Sequence, residues 1–203
     1  MEKEKLGFIG GIKAEFSTRA LVLIPICAGI NLVGGAIASG LKLPVFLDMI
    51  GTVVSAALAG PWVATIVGVL TNVFLALVSN PVYLPYALVS VSVALVTGYM
   101  IRAGLFKSVW GVVLTCIAAT AVSVVTASSV TVFVFGGATG ATGASIMTAS
   151  LIATLGSIWK GVVTSAIIEN LLDRAIAFAI AYVILKKIPR SFISQYQQAA
   201  LDR

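Results

Sequence analysis

Long apolar runs, broken by Pro, Gly, Asn and charge, set the pattern of this chain. The first extends from Ala20 to Gly40 and ends at Lys42-Leu43-Pro44. A second, from Val45 to Ala59, stops at Gly60-Pro61-Trp62, and a third, from Trp62 to Val78, stops at Ser79-Asn80-Pro81. The fourth covers Val82 to Ile101 and closes at Arg102-Ala103-Gly104; the fifth covers Ser108 to Phe135. A flexible Gly-rich loop over 136–143 and a weakly polar stretch precede the sixth run, Val162 to Leu185, which ends at Lys186-Lys187-Ile188-Pro189-Arg190. A helix of about 20 apolar residues crosses the hydrocarbon core. The pattern therefore predicts an all-α protein, an integral membrane bundle of six transmembrane helices.

Three regions follow from this reading: a cytoplasmic or interfacial segment over 1–19, a membrane domain over 20–188 and a cytoplasmic tail over 189–203. In the first, Phe8, Ile9, Ile12 and Phe16 suit an interfacial helix. A charged start before an apolar run also resembles a signal peptide, with Ala36-Ile37-Ala38 as its cleavage site. The run from Ala20 to Gly40 exceeds a signal sequence's apolar region of about 7–15 residues, and is read as a retained first span.

Composition agrees with the pattern. The 203 residues are 60% hydrophobic and 10% charged, where soluble domains carry about 25% charge. Residues 49–101 and 108–159 contain no Asp, Glu, Lys or Arg. The absence of His from the chain excludes Ser-His and Cys-His hydrolases and His-ligated zinc or haem. Cys27 and Cys116 lie inside apolar runs and form neither a disulfide framework nor a CxxC metal motif. The expectation is no enzyme, no cofactor and no metal.

The net charge of +6 reads as membrane topology rather than nucleic-acid binding, because the basic residues sit at the ends of spans. With the N-terminus inside, Lys3, Lys5, Lys13, Arg19, Arg102, Lys107, Lys186, Lys187, Arg190 and Arg203 share one side, against Lys42 and Lys160 on the other. The positive-inside rule then places both termini in the cytoplasm. Small residues recur four apart at Gly51, Ser55 and Ala59, at Ala119, Ser123 and Ala127, and at Ala94 and Gly98. Such seams serve helix packing within a bundle or an interface with a partner.

Polar groups inside these spans mark candidate chemistry, since an ionisable group in hydrocarbon is costly. Counting outward from Lys186 at about 1.5 Å per residue, Arg174 lies roughly 18 Å in, Asp173 roughly 20 Å and Glu169 roughly 26 Å. Asn31 and Asn72 come out roughly 15–17 Å from the cytoplasmic boundary. Asp48 starts the second span, and Asn80, Tyr83 and Tyr86 cluster at the outer turn between the third and fourth. Several helices thus offer polar groups toward the outside, as a small-molecule pocket requires. The candidate substrate-binding set is Asn31, Asp48, Asn72, Asn80, Tyr83, Glu169 and Asp173. Other readings stand beside it: Glu169, Asp173 and Arg174 as a structural ion-pair set, the two Asn as interhelical hydrogen-bond partners, the Tyr as interface residues, and Asp48 as a helix cap. Three acids against Arg174 point to a neutral or cationic ligand. The loop over 136–143 lacks the GxxxxGK[ST] phosphate signature and reads as an outer lid or a connector; with no such motif in the chain, any ATP-driven motor is another polypeptide.

The run Leu43-Pro44-Val45-Phe46-Leu47-Asp48-Met49-Ile50-Gly51-Thr52, with Ala59-Gly60-Pro61-Trp62, Leu70-Thr71-Asn72 and Asn80-Pro81, resembles the substrate-binding S components of energy-coupling factor (ECF) transporters. So do Val134-Phe135-Gly136-Gly137-Ala138-Thr139-Gly140, Leu172-Asp173-Arg174 and the Lys186–Arg190 ending, a similarity over about residues 16–190. The resemblance implies a six-helix subunit of the bacterial plasma membrane that captures a vitamin, precursor or related micronutrient from outside. It also implies a transmembrane T component and two ABC ATPases as partners, transport by toppling of the subunit, and closure of Leu41–Pro44, Ser79–Pro85 and Gly136–Ile146 over the ligand. The AxxxA-type docking motif of many members is interrupted here: Ala20, Ile24 and Ala28 hold its spacing, with Gly29 as a substitute. The rival reading is a self-sufficient proton-coupled secondary transporter of a small polar metabolite, with Glu169 or Asp173 as proton carrier. No internal repeat supports it.

Overall fold

The computed structural model describes residues 8–41, 43, 45–140 and 143–201; Lys42, Pro44, Ala141 and Thr142, named in the loops above, lie outside them, as do the basic Lys3, Lys5 and Arg203. Among the described residues the chain is helical and has no strand. Nine α-helices follow one another: α1 (Phe8–Glu15), α2 (Thr18–Gly40), α3 (Ile50–Leu58), α4 (Pro61–Val78), α5 (Ala87–Arg102), α6 (Val109–Phe135), α7 (Gly143–Leu155), α8 (Ile158–Lys187) and α9 (Arg190–Leu201). Helices α2, α4 and α6 are long and apolar enough to cross a membrane, and α5 and most of α7 are shorter apolar helices.

Local chemistry sets these boundaries. Ser17, Ser108 and Ser157 accept from the backbone N–H three residues on and so cap α2, α6 and α8. Pro61 stands in the first turn of α4, where its missing N–H has no helical use. The residue before it, Gly60, has no side chain to cap that helix. Glu15 does so from α1: its Oε2 accepts from Trp62 N at 2.8 Å and Val63 N at 3.4 Å. Its Oε1 takes Arg102 Nη2 at 2.7 Å, so one buried carboxylate ties α1, α4 and the end of α5 together.

Two segments differ from the sequence expectation. The second expected span, Val45 to Ala59, is helical only over Ile50–Leu58, nine residues or about 13 Å. Residues 45–49 are non-helical. Their apolar character gave no sign of this, because the break is made by distant partners described below. The stretch after the Gly-rich loop is the helix α7, packed against α8 as a hairpin. Its Ser and Thr hydroxyls bond back to backbone carbonyls one turn earlier, as Thr148 Oγ1 does to Ala144 O at 3.1 Å, which lets an apparently polar stretch stay helical.

The core lies where α2, α3, α4, α5, α6 and α8 meet, around Met49, Val53, Val63, Val67, Val93 and Phe178. Small residues bring backbones close: a Cβ on Gly51 would sit 2.0 Å from Cys27 O. The seam at Gly51 and Ser55 is therefore a packing seam between α2 and α3. Large apolar side chains face outward, among them Trp110 at 83% and Phe133 at 77% exposure, as lipid contact requires.

Candidate functional site

The site begins with the non-helical residues before α3. Non-helical backbone at membrane depth needs internal partners for its N–H groups. Asp173 on α8 supplies them, its Oδ1 accepting from Phe46 N at 2.9 Å and Leu47 N at 2.7 Å. Its Oδ2 takes Arg174 Nη1 at 2.6 Å, with both side chains buried. Arg174 Nη2 donates to Ser123 Oγ at 3.1 Å, and that hydroxyl donates to Asn170 Oδ1 at 2.5 Å. The unwound segment is thereby fastened to α8 and α6. Leu47 there takes a positive φ of 53°, and Gly34 on α2 makes room for it, since a Cβ would stand 2.1 Å from Leu47 O.

Above this fastening lies a cavity of about 90 Å³. Asp48, Asn72, Tyr83, Tyr86, Glu169, Asn170 and Arg174 supply its polar wall; Val89, Val162 and Ala166 are among its apolar lining. A larger chamber of about 610 Å³ adjoins it, sharing Phe46, Asp48, Tyr83, Ala138 and Ser145. Tyr86 is held rigidly: its hydroxyl bonds Thr131 Oγ1 at 2.7 Å, and its ring stacks on Phe135 with centroids 5.8 Å apart. Glu169 accepts from Ser165 Oγ, which also bonds Thr148 on α7 at 2.7 Å.

Of the residues expected from sequence, Asp48, Asn72, Tyr83 and Glu169 line the smaller cavity. Asn72 also donates to Gly68 O and to Ser90 Oγ on α5, so it both faces the cavity and ties two helices. Asn31, Asn80 and Asp173 are not among the lining residues. Asn31 is fully buried, donating to Thr52 and Thr71 and accepting from Gly51 N at 2.7 Å. Asn80 caps a short 3₁₀ turn by accepting from Val82 N. Asp173 lies behind the wall, in the fastening just described.

Sequence reasoning missed the contributions of α6 and α7, namely Ala127, Thr131, Ala144, Ser145 and Thr148. The signal was present in Ser145 and Thr148, three apart and so on one helix face. The spaced set Ala20, Ile24 and Ala28 is buried in the core. A Cβ on Gly29 would meet nothing within 4 Å.

Long apolar helices with outward-facing hydrophobic side chains, folded around buried polar groups and a cavity, are those of a multi-pass membrane protein. A family model described as ECF transporter, substrate-specific component, matches residues 19–185, and the chain belongs to that family. Its members are binding subunits in transport rather than enzymes. Neither a comparison with curated proteins nor one with solved structures gives a match.

Proposed function

We propose that this chain is the substrate-capturing subunit of an ECF-type importer in the bacterial plasma membrane. It takes up a vitamin or related micronutrient from outside and delivers it with a T component and two ABC ATPases. The observation that carries the reading is the polar cavity between α4, α5, α6, α7 and α8, lined by Asp48, Asn72, Tyr83 and Glu169. These four contact the ligand, while Asn31, Asn80 and Asp173 hold the surrounding frame.

Aromatic residues support an outward placement. Trp110 and Phe133, both exposed on α6, are 23 residues apart, about 35 Å along a helix, and suit the two membrane interfaces. Phe133 also packs edge-on against Trp159 at the start of α8. Ser123 then falls near the midplane, and the cavity residues Ala127 and Thr131 lie in the half toward Phe133. On this reading the chain crosses six times, by α2, the 45–58 segment, α4, α5, α6 and α8, with both termini cytoplasmic. The α7–α8 hairpin reaches outward, since the 30 residues of α8 extend about 45 Å, beyond a core of about 30 Å.

Mass spectrometry of small molecules released by denaturing the detergent-purified protein tests the capture reading. A single compound in stoichiometric amount is expected. Protein that neither holds nor regains any small molecule, combined with transport that needs only a proton gradient, would favour the carrier reading, to which Glu169 lends a buried carboxylate without a cationic partner among the described residues.

A further inference from the structure

The charges around the cavity define its ligand more narrowly than the family does, on the reading that the cavity is the capture site. Three lining residues are ionisable: Asp48, Glu169 and Arg174. Arg174 is already neutralised from behind by Asp173, whose other oxygen is occupied by the Phe46 and Leu47 N–H groups. Glu169 has a neutral hydroxyl partner, Ser165. Asp48 and Glu169 make no ion pair with a described residue. The larger chamber adds no positive charge either: among the described residues it is lined by small and apolar groups, Asp48 and Tyr83, without Lys or Arg. A phosphate or carboxylate on the ligand would therefore meet two acidic side chains and, among the described residues, no unpaired cation, a costly arrangement at low dielectric.

A second, independent feature points to the ligand's other pole. Arg174 is 4% exposed, and its Nε–H has no acceptor, although its two terminal nitrogens are both used. A buried donor left unpaired is destabilising unless something in the site accepts from it. Asn72 spends its amide nitrogen on Gly68 and Ser90, which leaves its carbonyl oxygen as a further acceptor on the wall. The wall thus offers several acceptors and, among the described residues, one buried donor that lacks an acceptor.

We propose that the ligand carries a protonated nitrogen, an amine or amidine, bound by the carboxylates of Asp48 and Glu169, together with an oxygen or ring-nitrogen acceptor for the Arg174 Nε–H. Its body is compact and apolar on the side that meets Val89, Val162 and Tyr86. The same wall disfavours phosphorylated and carboxylate-bearing compounds.

The test uses full-length protein in lipid nanodiscs and, as probe, a desalted polar extract of bacterial cells. Wild type, Asp48→Asn and Glu169→Gln are equilibrated with the extract, washed and denatured, and the retained compounds are identified by mass. Wild type is expected to enrich a compound protonated at pH 7, and either variant to bind it roughly tenfold to hundredfold more weakly, the range for a hydrogen bond to a charged group. Enrichment of an anion or of a compound without a basic nitrogen overturns the proposal, as does equal binding by both variants. Should a variant melt well below wild type, wild type alone decides: the N-acetylated, neutral form of the enriched compound must bind markedly less well, and equal binding overturns the proposal. No enrichment on wild type counts against the capture reading itself, and the charge assignment falls with it.

Discussion

Two buried acids outside the cavity's wall show how a residue's partners decide its role. Glu15 is 5% exposed. Burial pushes its carboxyl above the ordinary value, against lowering by the Trp62 N–H and the Arg102 guanidinium. The same carboxylate offers α4 an acceptor for two N–H groups. Glu15→Ala leaves two helix N–H groups uncapped and is expected to lower stability by about 1–3 kcal/mol, read as detergent-solubilised melting. Glu15→Gln, which keeps one acceptor and removes a desolvated charge, should cost less; an equal loss from both would refute the trans-cap reading. Asp173 is the opposite case. Asp173→Asn keeps an oxygen for Phe46 N and Leu47 N but strips Arg174 of its counter-charge, and removing one partner of a buried pair costs about 3–5 kcal/mol. We expect it to melt well below wild type, whereas Glu169→Gln should melt near it. An Asp173→Asn protein that melts normally yet fails to bind ligand would instead make Asp173 a contact residue.

At the scale of elements, the unwound segment before α3 shapes the site, and its geometry depends on Gly34. A Cβ there would collide with the Leu47 carbonyl, so Gly34→Ala must push residues 45–49 away from α2 or break their bonds to Asp173. Weaker ligand binding is expected from this substitution, although Gly34 does not line the cavity; titration calorimetry with the co-purified compound measures it, and unchanged affinity would show that the segment tolerates displacement. This element also shows how far the sequence could be read. The apolar runs that became α2, α4, α5 and α6 were legible because period and boundary signals are local: Ser17, Pro61, Ser108 and Gly136 mark helix ends by their own chemistry. The break over 45–49 was not, because it depends on a carboxylate more than 120 residues away, as the Phe46–Asp173 separation of 127 shows. α7 was hidden for a different reason. Its Gly-rich approach read as a loop and its own Ser/Thr content as a weakly polar stretch, whereas those hydroxyls bond back to its own carbonyls and to Ser165 on α8. Polar residues in the spans were likewise visible as candidates, but their division between wall and frame was not. Asn31 and Asn72 are the same residue type at similar depth, and only packing turns one toward Thr52 and Thr71 and the other toward the cavity.

For the whole molecule, the question is where the energy for transport enters. The chain belongs to the ECF substrate-specific components, and its sequence contains no GxxxxGK[ST] phosphate loop with which to bind nucleotide itself. Its buried network fastens α8 to α6 through Arg174 and Ser123, and to the segment before α3 through Asp173. Helices joined in this way favour rigid-body movement over a rocking of two halves against each other, and no internal repeat supplies such halves. On the proposed reading, a rigid bundle that carries its ligand across would need an external partner to reorient it. The expected outcome is that reconstituted chain alone binds ligand but does not accumulate it, and that accumulation requires a T component and ATPases together with ATP. Glu169→Gln should then reduce uptake through affinity, shifting the half-saturating concentration while leaving the rate at saturation near that of wild type. Uptake by the chain alone, driven by an imposed proton gradient and abolished at all ligand concentrations by the same substitution, would make Glu169 a proton carrier and the protein a self-sufficient transporter.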